Sequence, residues 1–112
     1  MHQRGDIVFV RFPFSDLSDS KMRPALLVWG PSAGPDPDYL LRHITSAVAS
    51  KYDHAVPITT SDFKKGGLPK ISVIRPDKLF TSNGSIISLT MGSVNDSFLR
   101  QVIDSLKVLL DQ

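Results

Sequence analysis

Cysteine is absent from this chain of 112 residues. A disulfide framework and a zinc site with thiolate ligands are therefore excluded, and a cytoplasmic location is the simplest expectation. No window approaches the run of about 20 apolar residues that spans a bilayer, and residues 1–6 lack the apolar segment of a signal peptide. We therefore expect no membrane partner.

A strong net charge is also lacking. The formal charge is +2, with a pI near 9.1, which permits a nucleic-acid partner without requiring one. Charged residues make up 21% and hydrophobic residues 41%, as in ordinary globular proteins. We expect a single domain over residues 1–112. No phosphate-cradling glycine loop, Ser-His-Asp signature or HExxH motif occurs, and the three histidines form no sequence-local cluster, so we expect neither metal nor cofactor.

Short apolar segments separated by turn residues occupy most of the chain. Pro24 is expected at the first residue of a strand, Pro57 on an edge strand, and Pro76 at a strand break. The dipeptide Asn83-Gly84 predicts a tight hairpin, and residues 61–70 read as a long basic loop. The predicted strands cover residues 7–14, 25–29, 39–46, 53–58, 71–78 with a possible extension to 81, and 85–91.

A helix is predicted only at the end of the chain. Asn95 can cap its N-terminus, with Asp96 in the first turn, and apolar residues from Phe98 to Leu110 recur at three- and four-residue steps. Together these elements predict a mostly β fold: a small, mainly antiparallel barrel or curled sheet, with the helix plugging or flanking it.

Several polar residues stand at the ends of the predicted strands. Arg23 precedes a buried strand, where its planar guanidinium suits an anion, although a surface ion pair is the plainer interpretation. His43 shares a strand face with Thr45 and could transfer a proton, or be an ordinary strand histidine. Thr45 and Ser46 could bind a phosphate oxygen or satisfy a turn. Two interpretations also apply to Arg75 and Asp77. Asp77 could orient Arg75 or accept a proton, or the two residues could form a surface ion pair.

The order of several motifs resembles that of the MazF/PemK (Kid) toxins, the ribonucleases of bacterial type II toxin–antitoxin modules. The resemblance extends over nearly the whole chain, and the opening block is its most specific part. The matching segments are residues 5–8 (GDIV), 12–17 (FPFSDL), 21–28 (KMRPALLV), 44–46 (ITS), 73–78 (VIRPDK) and 91–92 (MG).

This resemblance implies an SH3-like barrel of the CcdB/Kid/MazF type with a C-terminal helix, assembled as a homodimer. It also implies metal-independent cleavage of single-stranded RNA, in which the ribose 2′-hydroxyl attacks the adjacent phosphorus. Arg23 would stabilise the charged phosphate and Thr45 would donate a hydrogen bond to it. Arg75 and Asp77 match an active-site Arg-x-Asp of the PemK branch.

The resemblance further places RNA contacts at strand ends and in two loops, and a cognate antitoxin as a partner, expected to be an acidic, partly disordered segment. Some relatives carry a histidine or glutamate in the first loop, whereas this chain has only Asp16 and Asp19 there. The proton-transfer group thus stays open among these two, Asp77 and His43. A CcdB-like toxin that binds DNA gyrase without nuclease activity, or an inactive interaction module, are the alternatives. The substrate-binding candidates are Ser46, Asp16, Ser18, Lys21, His43, Lys64 and Lys65.

Overall fold

The computed structural model describes residues 2–11, 22–30, 37–46 and 55–112, except for the side chains of Pro76 and Asp77. Within these residues, no helix is long and apolar enough to cross a bilayer. Two short 3₁₀ segments, Thr60–Asp62 and Gly84–Ile86, accompany seven strands and one helix. The elements are β1 Asp6–Arg11, β2 Met22–Trp29, β3 Asp38–Thr45, β4 Val56–Ile58, β5 Phe63–Gly66, β6 Ser72–Asn83, β7 Leu89–Val94 and α1 Asp96–Leu110.

The seven strands form one sheet in the order β4-β6-β3-β2-β1-β7-β5, and every neighbouring pair is antiparallel. The two edge strands, β4 and β5, are consecutive in the chain and are joined only by Thr59 and the 3₁₀ segment. A flat seven-stranded sheet would hold its edges about 29 Å apart, at about 4.8 Å per strand. So short a connection reaches less than about 20 Å. The sheet must therefore curl, which confirms the predicted curled sheet.

Both faces of the sheet bury apolar side chains. One face packs against α1 through Phe98 and Val102, and the other forms a second cluster with Tyr39 and Ile87. This double burial explains why residues 25–28 are apolar without alternation, since all four are buried. The predicted buried strand included Trp29, but this residue is 55% exposed at the end of β2.

The C-terminal helix begins where its capping residues predict. The side-chain oxygen of Asn95 accepts a hydrogen bond from the backbone N–H of Phe98 at 2.8 Å, and Asp96 lies in the first turn. Satisfying an otherwise unpaired N–H in this way fixes the start of the helix. The predicted N-cap is confirmed.

Two prolines lie inside strands, contrary to prediction. β2 begins at Met22, so Pro24 is its third residue; it faces Phe9 of β1, whereas the pairing with β3 begins only at Ala25. β6 continues through Pro76 because the register with β3 shifts there and residues 75–78 form a bulge. A bulge relaxes the demand for ladder hydrogen bonds that proline cannot meet. Pro57 does lie on an edge strand, β4, as predicted.

The predicted hairpin at Asn83-Gly84 is wrong. Asn83 ends β6, and its side chain accepts a hydrogen bond from the N–H of Ser85, capping a 3₁₀ segment instead of closing a type I′ turn. β7 then begins at Leu89 and pairs with β1 and β5, not with β6. The basic loop predicted at 61–70 contains a further strand, β5, which polar residues and a glycine concealed.

Candidate active site

The strand register brings Arg23 and Thr45 together. In the ladder between β2 and β3, Ala25 pairs with His43 and Leu26 pairs with Arg42. Arg23 lies two residues before Ala25 and Thr45 two residues after His43, so both lie at the same end of this strand pair. His43 and Thr45, two residues apart on β3, share one face of the sheet. Two residues 22 positions apart in sequence thus meet at one end of the sheet.

A cavity of about 260 Å³ opens at this rim, where β2 begins and β3 ends. Its charged and hydroxyl groups come from Arg23, Thr45, Ser46, Lys70 and Ser72. Arg23, Ser46 and Lys70 are exposed, and Thr45 is half-buried. The remaining wall is apolar: Phe9, Met22, Pro24, Ile44, Leu68, Pro69 and Met91.

The charge of the cavity has one sign. Arg23 and Lys70 are cations, and none of the described residues that border the cavity is acidic. Hydroxyl groups on Thr45 and Ser46 add hydrogen-bond donors without adding charge. A guanidinium, an ammonium and hydroxyls around one concave surface suit a phosphate group.

The segment that carries Lys70 is held in place at the entrance to β6. The hydroxyl of Ser72 donates to the backbone carbonyl of Lys70 at 3.0 Å, and Ser72 is itself buried. This bond across two residues fixes the turn that leads into β6, which limits the positions open to the lysine side chain.

A buried arginine supports the neighbouring bulge. Arg42 is fully buried on β3, and its Nη2 donates to the backbone carbonyl of Arg75 at 3.3 Å. Its Nη1 donates to the carbonyl of Val102 at 3.1 Å and to the hydroxyl of Ser105 at 3.4 Å, both on α1. Arg42 thus connects the helix to the strand segment that carries Arg75 and Asp77.

The structure brings together only some of the residues that the sequence selected. Arg23, Thr45 and Ser46 border the cavity. Outside its lining lie the nearly buried His43, the half-buried Arg75 of the bulge, and the exposed Lys64 and Lys65 of β5. The backbone of Asp77 lies in β6, and its side chain is outside the described part of the chain, as are Asp16, Ser18, Asp19 and Lys21.

Sequence reasoning missed Lys70 and the apolar wall. Lys70 closes the basic segment 61–70, so its charge was visible, but its place across from Arg23 depends on how the sheet curls. Phe9, Leu68 and Met91 resemble ordinary core residues in sequence. No local pattern separates a cavity wall from a core.

Comparison with protein families decides the relationship. The family model described as "PemK-like, MazF-like toxin of type II toxin-antitoxin system" matches residues 3–110. The chain belongs to this toxin family. No curated protein matches the sequence significantly.

Solved structures share the fold of this toxin. An endoribonuclease in complex with its cognate antitoxin from a mycobacterial species is 15% identical, with a TM-score of 0.74 over 99% of this chain and 96% of that one. The toxin MazF-mt6 of Mycobacterium tuberculosis is 17% identical, with a TM-score of 0.70 over 95% and 96%. MazF from Deinococcus radiodurans is 19% identical, with a TM-score of 0.69 over 99% and 97%. At these identities the likeness establishes the fold.

Proposed function

We propose that this toxin is a sequence-selective endoribonuclease that cleaves single-stranded RNA, such as mRNA, without a metal ion and thereby inhibits translation and growth. The observation that carries the proposal is the cavity at the sheet rim, where Arg23 and Lys70 face no acidic residue of the described lining. Family membership and the endoribonucleases among the structures of the same fold support it.

The proposed reaction is an internal displacement at phosphorus. The ribose 2′-oxygen loses its proton and bonds to the adjacent phosphorus, and the bond from phosphorus to the 5′-oxygen breaks. The 5′-oxygen takes up a proton, which leaves a 2′,3′-cyclic phosphate and a 5′-hydroxyl. No water is consumed in this step, so neither an activated water nor a metal that activates one is required.

Negative charge accumulates on the phosphate oxygens in the transition state, and Arg23 and Thr45 are assigned to stabilise it. Donors held in place before the reaction need no reorganisation when the charge develops, and removing one such donor typically lowers kcat by about 100- to 1,000-fold. Ser46 and Lys70, which border the same cavity, are assigned to bind the neighbouring phosphate backbone.

Arg75 and Asp77 are assigned to the same reaction from the neighbouring bulge. Arg75 contributes positive charge near the phosphate, and Asp77 is the first candidate for proton transfer. His43 is a weaker candidate because it is only 8% exposed. Asp16 and Asp19, in the segment before β2, are the other two candidates for proton transfer. Ser18 and Lys21, from the same segment, are assigned to bind RNA. Alanine variants of the four proton-transfer candidates would rank them, since losing general acid–base catalysis costs about 100- to 10,000-fold.

The proposal is tested by incubating the purified toxin with single-stranded RNA in EDTA. Cleavage is expected, with ends that polynucleotide kinase phosphorylates directly because they carry a free 5′-hydroxyl. Arg23→Ala should abolish it, whereas Arg100→Ala, an exposed arginine on α1, should not. RNA that stays intact with the wild-type toxin, or cleavage of fully 2′-O-methylated RNA, would contradict the proposal.

The proposed partners are RNA, a second copy of the toxin and a cognate antitoxin, with the cytoplasm as the location. The antitoxin contribution is an acidic, partly disordered segment laid over Arg23 and Lys70, which are both exposed. Such a segment would occupy the site that the RNA phosphates need. Light scattering during size-exclusion chromatography measures the molar mass of the toxin, which should be that of a dimer. Inhibition of RNA cleavage by a synthetic acidic segment of the antitoxin tests whether that segment binds the site.

A further inference from the structure

A second cavity of about 400 Å³ lies directly beside the first. Residues 68–70 line both cavities, so the two sites are separated only by this short segment. The second cavity is bounded on its other sides by the end of β4, the 3₁₀ segment, the start of β5 and Ile71. It is therefore formed where the two edges of the curled sheet approach each other.

Lys70 borders both cavities. Its backbone is held by the hydrogen bond from Ser72, and its side chain is exposed. A cation on the wall between two cavities suits a chain of ligand units joined by negatively charged links. A polynucleotide has that form, since each pair of nucleotides is joined by one phosphodiester.

The walls of the second cavity differ from those of the first. They combine the aromatic ring of Phe63 with the exposed apolar side chains of Pro69 and Ile71, the last 76% exposed. The exposed Thr60 adds a hydroxyl. Single-stranded RNA is recognised through unstacked bases that lie against aromatic or apolar side chains and hydrogen-bond along their edges.

We propose that this second cavity binds an unstacked RNA base next to the cleaved phosphodiester, with Phe63 and Ile71 contacting the base and Lys70 the intervening phosphate. The assignment rests on the proposed ribonuclease function for its substrate. It locates part of the sequence selectivity in β5 and the segment 67–71, which the family motifs of the sequence do not include.

The test separates base contacts from phosphate contacts. Binding is measured with 2′-O-methyl homopolymers of uridine, cytidine and adenosine, which cannot be cleaved, and with an abasic ribose-phosphate oligomer of equal length. Stacking on an aromatic side chain typically changes affinity by about 5-fold or more. The wild-type toxin should bind at least one homopolymer more tightly than the abasic oligomer.

Two variants should remove this preference. Phe63→Leu keeps an apolar side chain in the partly buried position against the core, and Ile71→Ser changes an exposed residue, so that one of the two is free of packing effects. Each should weaken homopolymer binding about 5-fold and leave abasic binding unchanged, whereas Lys70→Ala should weaken both. Ile86→Ser, at a residue 53% exposed and outside both cavities, is the matched control.

Each outcome distinguishes this inference from the ribonuclease proposal. RNA cleavage by the wild-type toxin, combined with homopolymer binding that neither Phe63→Leu nor Ile71→Ser changes, would overturn the base site alone. If Phe63→Leu and Ile71→Ser lose the base preference but the wild-type toxin does not cleave RNA, the proposed reaction is overturned and the base site is retained. If Phe63→Leu and Ile71→Ser bind RNA normally and lose affinity only for the antitoxin, the base site is overturned and the cavity is a binding site for the antitoxin instead.

Discussion

The guanidinium of Arg42 donates a hydrogen bond from Nη1 to the backbone carbonyl of Val102, 3.1 Å away. The bond joins the middle of β3 to α1, and Arg42 is fully buried. From the same side chain, Nη2 reaches the carbonyl of Arg75 in the bulge of β6. A fully buried charge is expensive unless its donors are used, so the three elements are held in one arrangement around it.

Replacing Arg42 with methionine is expected to lower the free energy of unfolding by at least about 2 kcal/mol, because buried carbonyls lose their charged donor. Arg100→Met, on the exposed face of α1, should change it by less than about 0.5 kcal/mol. Urea denaturation followed by circular dichroism measures both. Equal stabilities for the two variants would show that Arg42 does not hold the helix to the sheet.

The fold follows from the sequence where local and tertiary preferences agree. Asn95 caps a helix whose apolar face also packs on the sheet, so its position is predictable. Asn83-Gly84 favours a tight turn by itself, but residues after it must cross to a strand beside β1, and the cap of a 3₁₀ segment results. The short strand β5 has no apolar pattern because its residues are mostly exposed.

The candidate site is predictable to a similar degree. Motif resemblance selected Arg23, Thr45 and Ser46, which the structure brings to one cavity. The curl of the sheet adds Lys70, which belongs to a segment far along the chain and carries no motif. When the curl of a sheet brings a residue such as Lys70 to a distant site, no local pattern in a single sequence indicates it.

Gly92 is expected to resist substitution. It pairs with Gly66 across β5 and β7, and a Cβ added to Gly92 would lie 2.5 Å from the carbonyl oxygen of Lys65, a backbone atom that cannot move aside. Gly92→Ala should therefore lower the free energy of unfolding by about 1–3 kcal/mol. Gly67→Ala is the matched control, because nothing lies within 4 Å of its added Cβ. Thermal unfolding compares them, and a Gly92→Ala protein as stable as the control would contradict the close approach.

Thr45 is expected to act through its hydroxyl. Thr45→Val keeps the shape of the side chain and removes the donor, so kcat for RNA cleavage should fall by about 100- to 1,000-fold. Thr45→Ser should retain most of the activity, and Thr81→Val, an exposed position on β6, should retain all of it. Single-turnover kinetics isolate the chemical step. A Thr45→Val toxin with wild-type kcat would remove this residue from the reaction.

Lys70 is expected to contribute more to RNA affinity than Lys64. Both are exposed lysines, but only Lys70 borders the cavity with Arg23. A lysine on a phosphate adds about 0.7 to the slope of log affinity against log salt for single strands, because one counterion is released. Lys70→Ala should therefore weaken binding of uncleavable 2′-O-methyl RNA and reduce that slope by about 0.7, while Lys64→Ala should leave both close to wild type. Fluorescence anisotropy titrations between 50 and 200 mM salt, a range over which phosphate contacts weaken strongly, give the slopes. If Lys64→Ala produced the larger change, RNA would bind along β5 and not across the cavity at the sheet rim.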